Sequence, residues 1–104
     1  MTRTLNAGLM LAAAISASPA MAHNEDMPVT RGAELSAWCK DTAYQYFLQS
    51  TDEIYNWRHT TLRKGNLFRV EGRWRVDGDD VEVECTIRAG AEQRFATFRV
   101  VGSR

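Results

Sequence analysis

Between residues 55 and 101 the chain alternates apolar and polar side chains in four runs, separated only by three short breaks, "RKGN", "DGDD" and "AGAEQ". Alternation with a period of two places successive side chains on opposite faces of an extended strand. A link of a few residues holding a glycine returns the chain beside the strand it has just left, so the runs are expected to pair antiparallel in sequential order. The expected strands are 55–62, 67–76, 81–88 and 94–101.

Ahead of them the period changes. Leu35, Trp38, Cys39, Ala43, Tyr46 and Phe47 recur at spacings of three and four, which gathers them on one side of a helix over 33–49. Lys40, Asp41, Gln45 and Gln49 fall on the other side. Thr30 is the expected helix cap, and Ser50 with Glu53 matches a capping box that would start one more helical turn. One amphipathic helix followed by four sequential strands predicts an α+β domain, with the helix packed on one face of a four-stranded antiparallel meander sheet.

Parity assigns the faces. Phe68, Val70, Gly72, Trp74 and Val76 share one side of the second strand, Val81, Val83, Cys85 and Ile87 one side of the third, and Ala96, Phe98 and Val100 one side of the fourth. These sides are expected to meet the helix. The opposite parity carries Arg69, Glu71, Arg73 and Arg75, then Glu82, Glu84, Thr86 and Arg88, then Phe95, Thr97 and Arg99. Pairing Val76 with Val81 would set Arg75 against Glu82, Arg73 against Glu84 and Gly72 against Cys85, where a missing side chain leaves room for a disulfide. A register shifted by two would oppose Glu71 and Glu84, and like charges directly opposed are unfavourable, so the first register is expected. Carried onto the fourth strand, with Cys85 against Ala96, it makes Arg99 a second neighbour of Glu82.

The first residues bear on location. Arg3 precedes an apolar run over 7–17, followed by "SASPAMA", the pattern of a secretory signal peptide over 1–22. Cleavage is expected after Ala22, at the Ala20-Met21-Ala22 site, or after Ala20. The apolar core falls short of the roughly 20 residues that span a bilayer, and no cysteine follows the cleavage region to carry a lipid. The product is expected to be periplasmic or secreted. Cleavage after Ala22 leaves 82 residues, enough for one domain over 33–104 behind a flexible lead-in at 23–32, "HNEDMPVTRG".

A domain this small often needs a covalent staple. Cys39 and Cys85 are the only cysteines, and an oxidising compartment favours bridging them. In the chain-entropy model such a link contributes roughly 4 kcal/mol. The mature chain holds 12 basic and 13 acidic residues, interleaved and without the unopposed basic patch that nucleic-acid binding requires. No nucleic-acid partner and no membrane insertion after cleavage are expected.

The order of a cysteine on an amphipathic helix, then "GNLFRVEGRWRVDG", then a strand ending "VEVECTI" resembles small exported bacterial domains of unknown function that pair a helix cysteine with one in a late strand. The resemblance spans most of residues 33–101 and implies a fold and a disulfide, but no activity. Where such domains often have a second aliphatic strand, this chain has "YNWRHTTLR".

The residues suggest three functional chemistries. A mature N-terminal His23 could chelate copper through its amine and ring, with His59 as the other histidine, although an ordinary solvated terminus is the simpler reading. "DGDD" offers oxygen ligands, but it lacks the glycine spacing and distal glutamate of a calcium loop, and hairpin chemistry accounts for it. No serine or cysteine has an assembled base and no phosphate loop occurs. Glu82 and Glu84 are expected beside arginines that keep them ionised, the wrong setting for a general acid. The chain is therefore read as no enzyme and as needing no cofactor. The remaining reading is a binding module that engages a periplasmic protein, inhibiting an enzyme in one version, through the open sheet face. Its expected contact residues are Trp57, Arg69, Arg73, Arg75, Phe95 and Arg99, aromatic and arginine types enriched at interfaces.

Overall fold

The structure, a computed structural model, describes residues 25–103. The signal-peptide segment, its cleavage site and His23 lie outside the described residues. Helix α1 (Gly32–Leu48) is followed by strands β1 (Ile54–Lys64), β2 (Leu67–Val76), β3 (Asp79–Arg88) and β4 (Thr97–Ser103), with a short 3-10 turn (Gln93–Phe95) before the last. The strands form one antiparallel sheet in the order β1-β2-β3-β4, the expected meander.

Helix α1 lies mainly over β1 and β2, less over β3 and least over β4. Its buried side chains are Leu35, Ser36, Cys39, Ala43 and Phe47. They meet Phe68, Val70, Trp74, Val83, Cys85 and Ile87 from the sheet, the face that parity assigns to the core. Cys39 and Cys85 are fully buried and joined, with their Cα atoms 5.9 Å apart. Trp74 Nε1 donates to the Lys40 carbonyl at 3.1 Å, a polar tie between sheet and helix beside the bridge. Tyr46, expected on the buried stripe, is half exposed and rests its ring on Phe98 at 5.5 Å.

Several boundaries differ from the expectation. The helix begins after Arg31 rather than on a Thr30 cap. The Glu34 carboxylate reaches back to accept the backbone N–H groups of Thr30 at 2.8 Å and Arg31 at 3.2 Å, so a glutamate in the first turn supplies the cap. No helical turn follows Ser50. Instead Thr51 Oγ1 donates to Asp77 Oδ1 at 2.6 Å and the Asp77 N–H donates to the Glu53 carbonyl, which fastens this loop to the β2–β3 turn. The segment read as a flexible lead-in is docked from residue 25 onward. Val29 is buried and exchanges backbone hydrogen bonds with Gly90 and Ala91, while Met27 and Glu25 accept from Gln93 and Arg94. That docking occupies the stretch expected to begin the last strand, so β4 starts at Thr97 and Arg94 and Phe95 belong to the 3-10 turn.

The β2–β3 register is the one the charge argument rejected. Val76 pairs with Asp79, Glu71 with Glu84, and Cys85 with Val70 instead of Gly72. The turn decides it. Asp77 at φ 52° and Gly78 at φ 89° form a two-residue loop with both central residues left-handed, the conformation an Asp-Gly pair favours and one whose twist matches the strands. Opposing the exposed Glu71 to the largely covered Glu84 costs about 0.2–1 kcal/mol as a cross-strand pair, and two arginines remove even that. Arg69 reaches both carboxylates, Glu71 at 3.1 Å and Glu84 at 3.1 Å, and Arg99 donates to Glu84 at 2.5 Å. Arg99 thus partners Glu84, not Glu82, because β4 pairs Cys85 with Phe98.

Candidate open-face interface

Strand β1 controls which residues reach the side of the sheet away from the helix. Its pairing with β2 slips between Tyr55 and Arg58, so Asn56 and Trp57 together oppose Trp74 alone. This is a bulge, and Asn56 at φ 64° supplies the left-handed step. One extra residue reverses the parity of everything before it. Tyr55 consequently shares the open face with Arg75, while Trp57 lies on the helix side.

Trp57 does not stand on the open face with the arginines. Its indole packs on Trp74 at 5.3 Å, lies nearly parallel to the His59 ring at 5.9 Å and donates from Nε1 to His59 Nδ1 at 3.1 Å. That bond requires His59 to carry its proton on Nε2. Gly72 provides the space. A Cβ there would sit 2.2 Å from Cη2 of Trp57, so the glycine that was expected to make room for the disulfide makes room for an indole. Phe95 is 64 % exposed but stands in the 3-10 turn, outside the strand ladder.

The register defines the open face row by row. Lys64, Leu67 and Arg88 form one end, and Leu62, Arg69, Thr86 and Thr97 the next row. Thr60, Glu71, Glu84 and Arg99 cross the middle, followed by Arg58, Arg73 and Glu82 beside the irregular Val101. Tyr55, Arg75 and Asp80 close the far end. A trough of about 570 Å³ occupies the centre, walled by Arg58, Thr60, Glu71, Arg73, Glu82 and Val101. Tyr55, Leu62, Leu67 and Val101 around it are each 40 % exposed or more.

The charges on this face are segregated from those elsewhere. It carries seven basic side chains against four acidic ones, whereas the other described residues hold four basic against nine acidic. Net charge near zero for the whole chain therefore conceals a basic face set against an acidic remainder. Of the expected contact residues, the fold brings Arg69, Arg73, Arg75 and Arg99 together here. It adds Arg58 and Leu62, together with Tyr55, which strict alternation could not assign without knowing the β1 bulge, and Val101, which stands at a separate irregularity between β3 and β4. An Asn in a strand opposite a Gly-x-Trp was the available signal, because both Asn and Gly mark departures from regular pairing.

Three of the face's six arginines are held by carboxylates. Arg75 pairs with Asp80 at 3.1 Å, and Arg69 and Arg99 converge on Glu84, whose side chain is only 13 % exposed. The aspartates of "DGDD" are explained by the turn and by the Arg75 and Thr51 contacts. Among the described residues no three His, Cys, Asp or Glu side chains are grouped to hold a metal ion, and no helix is long and apolar enough to cross a membrane. Comparison with protein-family models, with curated proteins and with solved structures returned no match to this chain.

Proposed function

We propose that the chain is an exported, disulfide-closed binding module that engages a protein partner through the open sheet face. Export rests on the N-terminal pattern and on a buried disulfide, a bond that persists in oxidising compartments. One observation carries the docking surface. The helix covers one side of the sheet, while the other side combines a charge-dense trough with four well-exposed apolar side chains around it. Exposed apolar groups rimmed by polar ones are the composition of a recognition patch.

The test is capture from a periplasmic extract with matched variants. Arg73→Glu on the open face should reduce recovery of the captured protein about tenfold, and Tyr46→Asp on the helix side should leave it unchanged. Equal recovery with Arg73→Glu, or loss confined to Tyr46→Asp, would refute the assignment of the face.

A further inference from the structure

We infer that Arg58 and Arg73 form a paired docking point for the carboxylate side chains of an acidic partner protein, an inference that rests on the open face being the docking surface. The two are directly opposed across β1 and β2, a like-charge pairing that is unfavourable where nothing neutralises it. The acidic counterpart next to it, Glu71 opposite Glu84, is neutralised within the fold by Arg69 and Arg99. Arg58 and Arg73 make no ion pair among the described residues, although Arg69, Arg75 and Arg99 on the same face all do. The fold thus neutralises its acidic pair by ion pairs, whereas its basic pair has Glu82 opposite Arg73 without an ion pair to it and keeps both arginines open to an external anion. Both residues line the same trough, and guanidinium matches the planar, two-oxygen geometry of a carboxylate. Arg58 reaches this position directly after the two-for-one bulge, a device that re-aims side chains at functional edges.

The surroundings select a protein anion over other polyanions. Glu71, Glu82 and Glu84 line the same trough and would repel the unbroken charge of a nucleic acid or a phosphate-rich surface. A protein surface can place carboxylates at Arg58 and Arg73 and a basic or neutral group between. A second copy offering its acidic side would make a head-to-tail contact, which gives a ring or a filament according to whether its rotation closes. The occupant assigned on the charge match is a different, acidic protein, and self-association is the outcome that would point to a second copy instead.

Nuclear magnetic resonance of the purified protein tests this with two probes: a peptide in which glutamates and a single lysine alternate with threonine, and inorganic tripolyphosphate. The peptide should shift the Nε–H resonances of Arg58 and Arg73 saturably and ahead of those of Arg75 and Arg99. The double variant Arg58→Gln/Arg73→Gln should weaken peptide binding about threefold or more, and Arg75→Gln by less than twofold. Unmoved Arg58 and Arg73 resonances, tighter binding of tripolyphosphate, or self-association abolished by Arg58→Gln would each overturn the inference. If peptide shifts appear at Tyr55, Leu62 and Val101 without the two arginines, only the carboxylate pairing falls. If no open-face resonance moves and partner capture depends on Tyr46, the docking face falls with it.

Discussion

Replacing Gly72 with alanine probes the packing that sorts the two faces of β1. The backbone is no obstacle, since Gly72 is not among the residues at positive φ. In a strand interior, alanine is ordinarily better than glycine by about 0.5–1 kcal/mol. Here the new methyl would meet Trp57 Cη2 at 2.2 Å, Cζ2 at 2.8 Å and Cζ3 at 2.9 Å, so the indole has to leave. Leaving removes the tilted contact with Trp74, worth about 0.5–1.5 kcal/mol, and the solvent-exposed hydrogen bond to His59, at the low end of about 0.5–1.5 kcal/mol. The sum agrees with the roughly 1–3 kcal/mol typical of overpacking. Set against the alanine gain, these losses of about 1–2 kcal/mol leave Gly72→Ala destabilising by up to about 1.5 kcal/mol. In a Trp57→Ala background the same change should be neutral or stabilising, which reverses its sign. Urea unfolding followed by far-ultraviolet circular dichroism measures all four proteins of this double-mutant cycle. An equal effect of Gly72→Ala in both backgrounds would show that the indole does not occupy the space over Gly72.

Three further outcomes follow from the same geometry. Cys39→Ala with Cys85→Ala opens a link across a sequence separation of 46 and should cost roughly 4 kcal/mol by the chain-entropy relation, measured as the fall in unfolding free energy; a loss under about 1 kcal/mol would remove the bridge as the main staple. Arg69→Ala should expose the Glu71–Glu84 opposition and destabilise by up to about 1 kcal/mol, with recovery on adding Glu71→Gln; absence of recovery would contradict the bridging role of Arg69. Glu34 is held below the ordinary 4.5 chiefly by the Thr30 N–H that it accepts, a lowering that burial opposes and that the Arg31 N–H and guanidinium reinforce. A carboxylate lowered on folding stabilises fully above its unfolded value and loses that contribution as pH falls through the lowered folded value, so Glu34→Gln should flatten the acid limb of the stability curve, and an unchanged limb would refute the cap.

The elements themselves were legible because each rests on a local signal. The three-and-four spacing from Leu35 to Phe47 reads as a helix whatever it packs against, and the alternation from Phe68 to Val76 reads as a strand with one buried face. The cysteines agreed with both, since Cys39 on the helical stripe and Cys85 on the inward parity of β3 could meet only if the helix covered that face. Register was less legible because two weak signals competed. Charge opposition at Glu71 and Glu84 favoured one answer, the Asp77-Gly78 turn favoured another, and backbone conformation outweighed a surface charge pair that Arg69 and Arg99 could neutralise. The open face was half legible. Arg73 and Arg75 were placed by alternation within β2, but Trp57, expected on the open face, lies on the helix side and Tyr55 lies on the open one, because one bulged residue that hydrophobic pattern does not encode separates their faces. The docking of Val29 was hidden for a similar reason, since a single apolar residue in a polar stretch has no periodicity to reveal its partner.

The central claim is that the Asp77-Gly78 turn sets a register in which Glu71, Glu84 and Asp80 of the open face pair with arginines while Arg58 and Arg73 make no ion pair among the described residues. Interstrand nuclear Overhauser contacts between α-protons report that register directly. The account predicts contacts joining Glu71 with Glu84 and Arg73 with Glu82. A contact joining Arg73 with Glu84 would place β3 two residues away, remove the Glu71–Glu84 opposition that Arg69 and Arg99 neutralise, and contradict both the charge arrangement and the docking surface built on it.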